Sequence, residues 1–137
     1  MTQVSITRRY RFCAAHRLHT DYLSPEANWA AFGKCNNPNG HGHNYVVLVT
    51  IKSAAGQETR RLEQLDRVVE DTIVSRFDHQ DLNQDPAFAE TTTTGENLVK
   101  LIWDLLVDKV SAHSLEKVGV IETRDNYFEY AASAAGR

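Results

Sequence analysis

Two long segments in which apolar and polar side chains alternate constrain the fold of this chain more than any other feature. From Val4 to His16 most even-numbered positions are apolar, while Ser, Thr and Arg fill most odd ones. From His43 to Lys52 the alternation continues with apolar residues at both parities, so both faces are expected to be partly covered. A period of two is typical of a β-strand. The pattern therefore predicts two strands, the first with one solvated face.

The middle of the chain changes from this alternation to helical spacing. Residues 17–40 lack periodicity and predict a long ordered loop, of the kind that is usually functional in a compact domain. An apolar stripe at helical spacing then predicts a helix. Its members are Leu62, Leu65, Val69 and Ile73. The polar segment 78–86 ends this helix and predicts a second loop.

The last third predicts one helix followed by a hairpin. The helix runs from about Gly95 to Ala112, and Thr93 with Glu96 forms a capping box at its start. Two short strands follow, Lys117–Thr123 and Tyr127–Ala131, joined by a turn signal. The element order of two strands, two helices and two strands indicates an α+β fold, an antiparallel sheet with helices on one face.

Composition limits the classes of function. The 137 residues suit one domain spanning 1–137, and a net charge of -3 with a pI near 6 argues against a nucleic-acid partner. No apolar run reaches the roughly 18 to 20 residues that span a bilayer, and the first residues do not resemble a signal peptide. We therefore expect a cytoplasmic protein without a membrane partner, in which both cysteines are thiols.

Three histidines form a candidate metal site. His41 and His43 are two residues apart at the entry to a strand, so their side chains point to the same face. His16 ends the first strand and lies beside this pair if the two strands are neighbours. Gly40 and Gly42 leave room around the pair. Three imidazoles with an open fourth position favour a catalytic Zn²⁺. The alternative is that His-x-His occurs by chance and that His16 merely ends a strand.

Two cysteines have different expected roles. Cys35 lies six residues before His41, so it is either a fourth ligand that closes a structural zinc site or a nearby thiolate that accepts a proton. Cys13 lies inside the first strand and is expected to be a small core residue.

Three further side chains are candidates for catalysis or binding. Asp78 and His79 are adjacent, which permits a carboxylate to orient an imidazole, although adjacency by itself favours a purely structural pair. Glu122 interrupts an apolar strand, so it is either a surface residue or a carboxylate that awaits a ligand. A ring that presents an N–H beside an NH₂ group, as pterins and guanines do, would satisfy such a carboxylate.

Five motifs in this order resemble one enzyme family, the 6-pyruvoyltetrahydropterin synthases, which includes the bacterial 6-carboxytetrahydropterin synthases of queuosine biosynthesis. They are FCAAHRL, FGKCNNPNGHGHNY, FDHQDLN, TTGENL and IETRDNYFEY. Together they cover the chain from about Tyr10 to Tyr130. The segment SAAGQETRRL departs from the family pattern at Gln57–Leu62, and Gly95 stands where a threonine is frequent.

The resemblance implies a role for each candidate residue. His16, His41 and His43 would hold a catalytic zinc. Cys35 would accept the proton. The remaining roles are a relay formed by Asp78 and His79, a pterin anchor at Glu122, and support for substrate binding from Thr93, Thr94 and Glu96.

The resemblance also implies a fold, an assembly and a reaction. The fold would be a four-stranded antiparallel sheet with two helices on one side. Three subunits would join their sheets into a barrel, and two barrels would stack into a homohexamer with active sites between subunits. The reaction would convert 7,8-dihydroneopterin triphosphate to 6-pyruvoyltetrahydropterin, the tetrahydrobiopterin precursor. The alternatives are a 6-carboxytetrahydropterin product and a non-catalytic module that binds zinc or pterin.

Overall fold

A computed structural model describes residues 2–36, 40–111 and 114–132. Of Cys35 it describes the backbone but not the side chain. Within these residues a five-stranded sheet has the order β3-β1-β2-β4-β5. The bounds of the strands are β1 Gln3–His16, β2 His41–Ala54, β3 Gln80–Asp81, β4 Leu115–Glu122 and β5 Asn126–Tyr130. The helices are α1 Pro25–Phe32, α2 Glu58–Val69, α3 Ser75–Phe77 and α4 Gly95–Val107, and a π-helical turn at Glu70–Val74 joins α2 to α3.

The two long strands form the centre of the sheet, as the alternation predicts. β1 and β2 pair antiparallel along their whole length, from Gln3 opposite Ala54 to His16 opposite His41. β2 pairs with β4, and β4 with β5, also antiparallel. This register brings the end of β1 and the start of β2 to the same edge of the molecule.

The core lies between one face of this sheet and the helices, which confirms the predicted α+β architecture. The buried apolar residues of each central strand share one parity, as Phe12 does on β1 and Tyr45 and Val47 do on β2. The apolar stripe predicted at helical spacing lies on α2 and the π-helical turn after it. Its residues Leu65, Val69 and Ile73 are buried, and Leu62 lies partly buried at the edge of the core. On the other side of β2, Val46 and Leu48 are only half-buried, as expected of a strand covered on both faces.

The prediction of four antiparallel strands was wrong in one respect. β3 adds a fifth strand, which runs parallel to β1 at Ala14 and Ala15. The backbone N–H of Cys13 donates to Asp78 Oδ1, and the N–H of His79 donates to the Cys13 carbonyl, so the chain after α3 is held along the edge of β1. A two-residue strand is too short to show a period of two.

The prediction of an irregular loop over residues 17–40 was also wrong. This segment contains α1 and a 3₁₀ turn at Gly33–Asn36. The Ser24 side chain accepts from the Ala27 N–H, and Pro25 occupies the first helical turn. These are ordinary start signals, but no apolar stripe accompanies them, which is why periodicity did not indicate a helix.

Helix α4, predicted to run from about Gly95 to Ala112, begins and ends differently from that prediction. Its N-cap is Thr94, whose hydroxyl accepts from the Asn97 N–H, rather than Thr93 in a capping box. α4 ends at Val107, and Ala112, the predicted end, lies outside the described residues. Gly95 fits this start for a steric reason, because a Cβ there would lie 2.1 Å from Cε2 of Phe128.

The segment that departs from the family pattern lies far from the histidines. Arg60 and Arg61 belong to the first turn of α2, and Arg61 Nη2 donates to Ser114 Oγ at 2.6 Å. Both arginines line a cleft with Gln3 and Ala54, the paired residues at the opposite end of β1 and β2 from His16. The departure therefore lies at the far end of the sheet from the histidines.

Candidate metal centre and active site

Three histidine side chains converge at one end of the central strand pair. His16 is the last residue of β1 and lies directly opposite His41, the first residue of β2. His43 follows two positions later, so its side chain lies on the same face. Their potential ligand atoms all lie within 4.8 Å of one another, and His16 Nε2 lies 3.0 Å from His41 Nε2. The pairing of the two strands thus assembles the cluster that the spacing predicts.

The hydrogen bonds around the cluster prepare its nitrogens for a metal. His16 Nδ1 lies 2.7 Å from the Thr93 carbonyl oxygen. Because a carbonyl only accepts, Nδ1 carries the hydrogen and Nε2 keeps its lone pair. His43 Nδ1 is bonded to Thr123 Oγ1. His43 Nε2 and His41 Nδ1 are buried, and neither has a partner among the described residues.

These features fit a zinc ion. Nitrogens bound at about 2.0 Å to one tetrahedral zinc lie about 3.3 Å apart, close to the observed His16–His41 separation. His43 Nε2 is buried without a hydrogen-bond partner among the described residues, which is costly, and a metal would satisfy it. Backbone or hydroxyl groups that hold the other ring nitrogen are the usual supports of a ligating histidine.

The electrostatics of the cluster also favour metal binding. Burial lowers the pKa of His16 to about 4, against an opposing effect of the Thr93 carbonyl. Burial lowers the pKa of His41 and of His43, and in His41 the neighbouring His43 lowers it further. All three rings are therefore neutral at pH 7, the form that coordinates a metal.

The two glycines beside the cluster contribute differently. Gly40 has a φ of 72°, and a Cβ there would lie 3.3 Å from the His16 carbonyl oxygen, so glycine suits both the backbone and the space. A Cβ at Gly42 would meet no atom of the described residues within 4 Å. The expectation that glycine leaves needed room is thus confirmed for Gly40 and wrong for Gly42.

Glu122 lies next to the histidines at the end of β4. Glu122 lies opposite Tyr45 where β2 pairs with β4, and Glu122 Oε1 lies 3.5 Å from His43 Nε2. The side chain is 14% exposed. Burial raises the pKa of the Glu122 carboxyl, His41 opposes this shift, and Glu96 adds to it. Glu122 is therefore a mostly buried carboxylate beside a candidate metal site, and the alternative of an ordinary surface residue does not fit.

Asp78 and His79 lie at the edge of the same region. Asp78 Oδ2 lies 3.6 Å from His79 Nε2, while the imidazole is 80% exposed and its residue has a φ of 60°. His79 lines an open cleft of about 580 Å³, to which Cys13, His43 and Thr123 also contribute. Asp78 and His79 thus lie near the three histidines, and the exposed imidazole of His79 is accessible to another group.

The structure tests the prediction for only one of the two cysteines, Cys13. The side chain of Cys35, the candidate proton acceptor, lies outside the described residues, and so do residues 37–39. Cys13 is exposed and its thiol donates to Asn44 Oδ1, so the prediction of a core residue was wrong. Its parity with Arg9 and Arg11, on the solvated face of β1, was a signal that the sequence carried.

The threonine-rich segment supports the site through its backbone. Thr93 is buried, its carbonyl holds His16, and its hydroxyl donates to the Arg17 carbonyl. Thr94 caps α4, and Glu96 is exposed in the first turn of that helix. Thr123, which holds His43, was missed at the sequence level, because a turn residue with a hydroxyl shows no pattern that indicates this bond.

The described residues contain no helix that is both long and apolar enough to cross a membrane.

Comparisons with known proteins identify relatives along nearly the whole chain. The profile of the 6-pyruvoyl tetrahydropterin synthase family matches residues 5–133. The human 6-pyruvoyl tetrahydrobiopterin synthase is 42% identical over 132 residues, which are 93% of this chain and 91% of the human protein. The corresponding protein of Dictyostelium discoideum is 37% identical over 131 residues, 93% of this chain and 95% of its own.

A solved structure agrees with these relatives. The 6-pyruvoyl tetrahydropterin synthase of Caenorhabditis elegans superposes with a TM-score of 0.88 at 36% identity and covers 97% of this chain and 98% of its own. Sequence profile, relatives and fold thus agree with the motifs and with the geometry of the histidine cluster. This chain belongs to the 6-pyruvoyl tetrahydropterin synthase family.

Proposed function

We propose that this protein is a zinc-dependent lyase that converts 7,8-dihydroneopterin triphosphate to 6-pyruvoyltetrahydropterin with loss of triphosphate. The observation that carries the proposal is the cluster of His16, His41 and His43, whose ring nitrogens converge while Thr93 and Thr123 hold two of the rings. Relatives that carry the synthase name align over more than nine-tenths of the chain, which supports the same substrate class.

The three histidines would hold the metal. A bound zinc supplies Lewis-acid polarisation of the substrate side-chain oxygens, which acidifies the adjacent C–H bonds. The Thr93 carbonyl fixes the tautomer of His16, and Thr123 fixes the ring of His43. Low proton affinity at His16 keeps its nitrogen available at neutral pH.

Cys35 would move protons between the substrate side chain and the ring. Asp78 and His79 would set its ionisation, a role supported by the exposed imidazole of His79 and by the carboxylate beside it. The chemistry is an internal redox exchange in which the ring gains hydrogen as side-chain carbons become carbonyls. No nicotinamide or flavin is therefore required.

Glu122 would anchor the pterin ring. A carboxylate accepts two hydrogen bonds at once from adjacent N–H and NH₂ groups. Its low exposure supports this role, since the desolvation of a mostly buried carboxylate is offset when a ligand supplies donors. Thr93, Thr94 and Glu96 lie at the start of α4, and the charge of Glu96 acts on this carboxylate, so the three residues would complete the ring site.

The assembly proposed for this chain is a homohexamer with active sites between subunits. In one chain the second face of β2 is half-exposed at Val46 and Leu48, and the outer edge of β5 has no partner strand among the described residues. Joining three sheets into a barrel would cover both features. Native mass spectrometry should then give about six times the 15.5 kDa chain mass. A cytoplasmic location stays a prediction.

The reaction is tested by incubating the zinc-loaded protein with 7,8-dihydroneopterin triphosphate and identifying the products by mass spectrometry. We expect 6-pyruvoyltetrahydropterin and triphosphate. A 6-carboxytetrahydropterin product would instead make the chain a carboxy-forming member of the family. Binding of substrate without conversion would make it a non-catalytic module.

The role of Cys35 is tested by Cys35→Ala. If the thiol accepts a proton and is not a ligand, the variant keeps its zinc content and loses turnover. Loss of zinc in this variant would show that Cys35 is a fourth ligand, and the open-site proposal would be wrong.

A further inference from the structure

The hydroxyl of Tyr45 is a buried polar group that the proposed mechanism does not use. Tyr45 is 1% exposed, and its hydroxyl has no hydrogen-bond partner among the described residues. Tyr10, on the neighbouring strand, is also buried, but its hydroxyl donates to Asp66 Oδ1 at 2.7 Å. The two tyrosines thus differ in whether the fold itself satisfies the phenol.

Packing does not explain this hydroxyl. The Tyr45 ring stacks on Phe12 with centroids 5.0 Å apart, a contact that phenylalanine would make equally well. A buried hydroxyl without a partner costs about 1 to 3 kcal/mol. Within the part of the chain that the structure describes, the fold therefore gains nothing from tyrosine over phenylalanine at this position.

The position of Tyr45 explains what the hydroxyl could serve. Its ring centroid lies 5.7 Å from that of His43 and 6.4 Å from that of His16. Glu122 lies directly opposite Tyr45 on β4, so the two side chains share one face of the sheet. The phenol is thus flanked by the candidate metal ligands on one side and by the candidate ring anchor on the other.

We propose that Tyr45 contacts the substrate, and that its hydroxyl donates a hydrogen bond to an acceptor atom of the pterin held between the three histidines and Glu122. The inference rests on the proposed function and adds a contact to that site. A carboxylate accepts only, so Glu122 pairs with the donor groups of the ring. The acceptor oxygens and nitrogens of the ligand then need a donor, which a protonated phenol provides.

Tyr45→Phe, compared with the matched control Tyr10→Phe, tests the proposal. In Tyr45→Phe we expect kcat/KM with 7,8-dihydroneopterin triphosphate to fall about tenfold, the usual size of one lost hydrogen bond in a buried site. Affinity for neopterin, a non-reacting probe, should fall similarly by calorimetry. The zinc content should stay at the wild-type level, and the metal-free Tm should be equal or higher.

The control should behave in the opposite way. Tyr10→Phe loses the bond to Asp66 at a distance from the histidines, so its Tm should fall while kcat/KM stays within twofold of wild type. If Tyr45→Phe keeps both wild-type kcat/KM and wild-type neopterin affinity, the proposed contact is wrong. If wild type itself does not convert the substrate, the proposed function fails first, and that result is separate from any effect at Tyr45.

A second background distinguishes a direct contact from an indirect one. In Glu122→Gln, the loss of neopterin affinity caused by Tyr45→Phe should persist when the phenol donates to the ligand. If the loss disappears in that background, Tyr45 acts through Glu122 and the direct contact is refuted.

Discussion

Thr123 combines a strained backbone with a contact to a candidate metal ligand, so one substitution there should change fold stability and metal affinity in opposite directions. The residue is exposed, it has a φ of 60°, and its hydroxyl bonds to His43 Nδ1. The variant Thr123→Gly removes both the strain and the hydroxyl. Thr123→Ser keeps the hydroxyl and serves as the control.

The two magnitudes follow from different parts of the structure. A non-glycine residue in the left-handed region destabilises the folded state by about 1 to 2 kcal/mol, which glycine avoids. Glycine also has more conformational freedom in the unfolded chain, which offsets about 0.5 to 1 kcal/mol of this gain. The metal-free Thr123→Gly variant should therefore be as stable as wild type or more stable by up to about 1.5 kcal/mol. Loss of the group that orients His43 should weaken zinc binding about 10- to 100-fold.

Two measurements check this prediction. Urea unfolding of the metal-free proteins gives the free energy of unfolding, and competition with a zinc chelator gives the zinc affinity. Thr123→Ser should bind zinc within a few-fold of wild type. If Thr123→Gly also keeps wild-type zinc affinity, the hydroxyl does not orient His43, and the reasoning about this contact fails.

Three other predictions concern packing, charge and the far end of the sheet. Gly95→Ala should lower the free energy of unfolding by about 1 to 2 kcal/mol through its clash with the Phe128 ring, and Phe128→Ala should abolish this difference in a double-mutant cycle. The guanidinium of Arg76 lowers the pKa of Asp85, so this pair stabilises the fold above pH about 4 and is lost as the pH falls further. Asp85→Asn should thus cost about 1 to 2 kcal/mol in urea unfolding at pH 7 and progressively less as the pH falls through the lowered pKa of Asp85, and a cost that does not decrease at acid pH would contradict the sign. Arg61→Ala should leave zinc affinity and turnover unchanged, because the Arg61 side chain lies at the opposite end of the sheet from the histidines. A loss of zinc affinity or of turnover would mean that the Arg61 end of the sheet influences the site.

Much of the candidate site was predictable from local spacing. His41 and His43 share a strand face because they are two residues apart, and His16 ends a strand whose parity points to the same side. The helical stripe of α2 was predictable for the same reason, since a repeating period is a local property. The short β3 and helix α1 were not predicted, because neither carries enough periodic residues.

The sequence by itself determined the long strands, the two main helices and the identity of the candidate metal-binding side chains, all of which depend on residue type and spacing. Only the tertiary structure decided that the Thr93 carbonyl holds His16, that Thr123 holds His43, and that the Tyr45 hydroxyl is buried without a partner among the described residues. These contacts join segments up to 80 residues apart. Their geometry depends on strand register and on where loops end, and no local pattern encodes either.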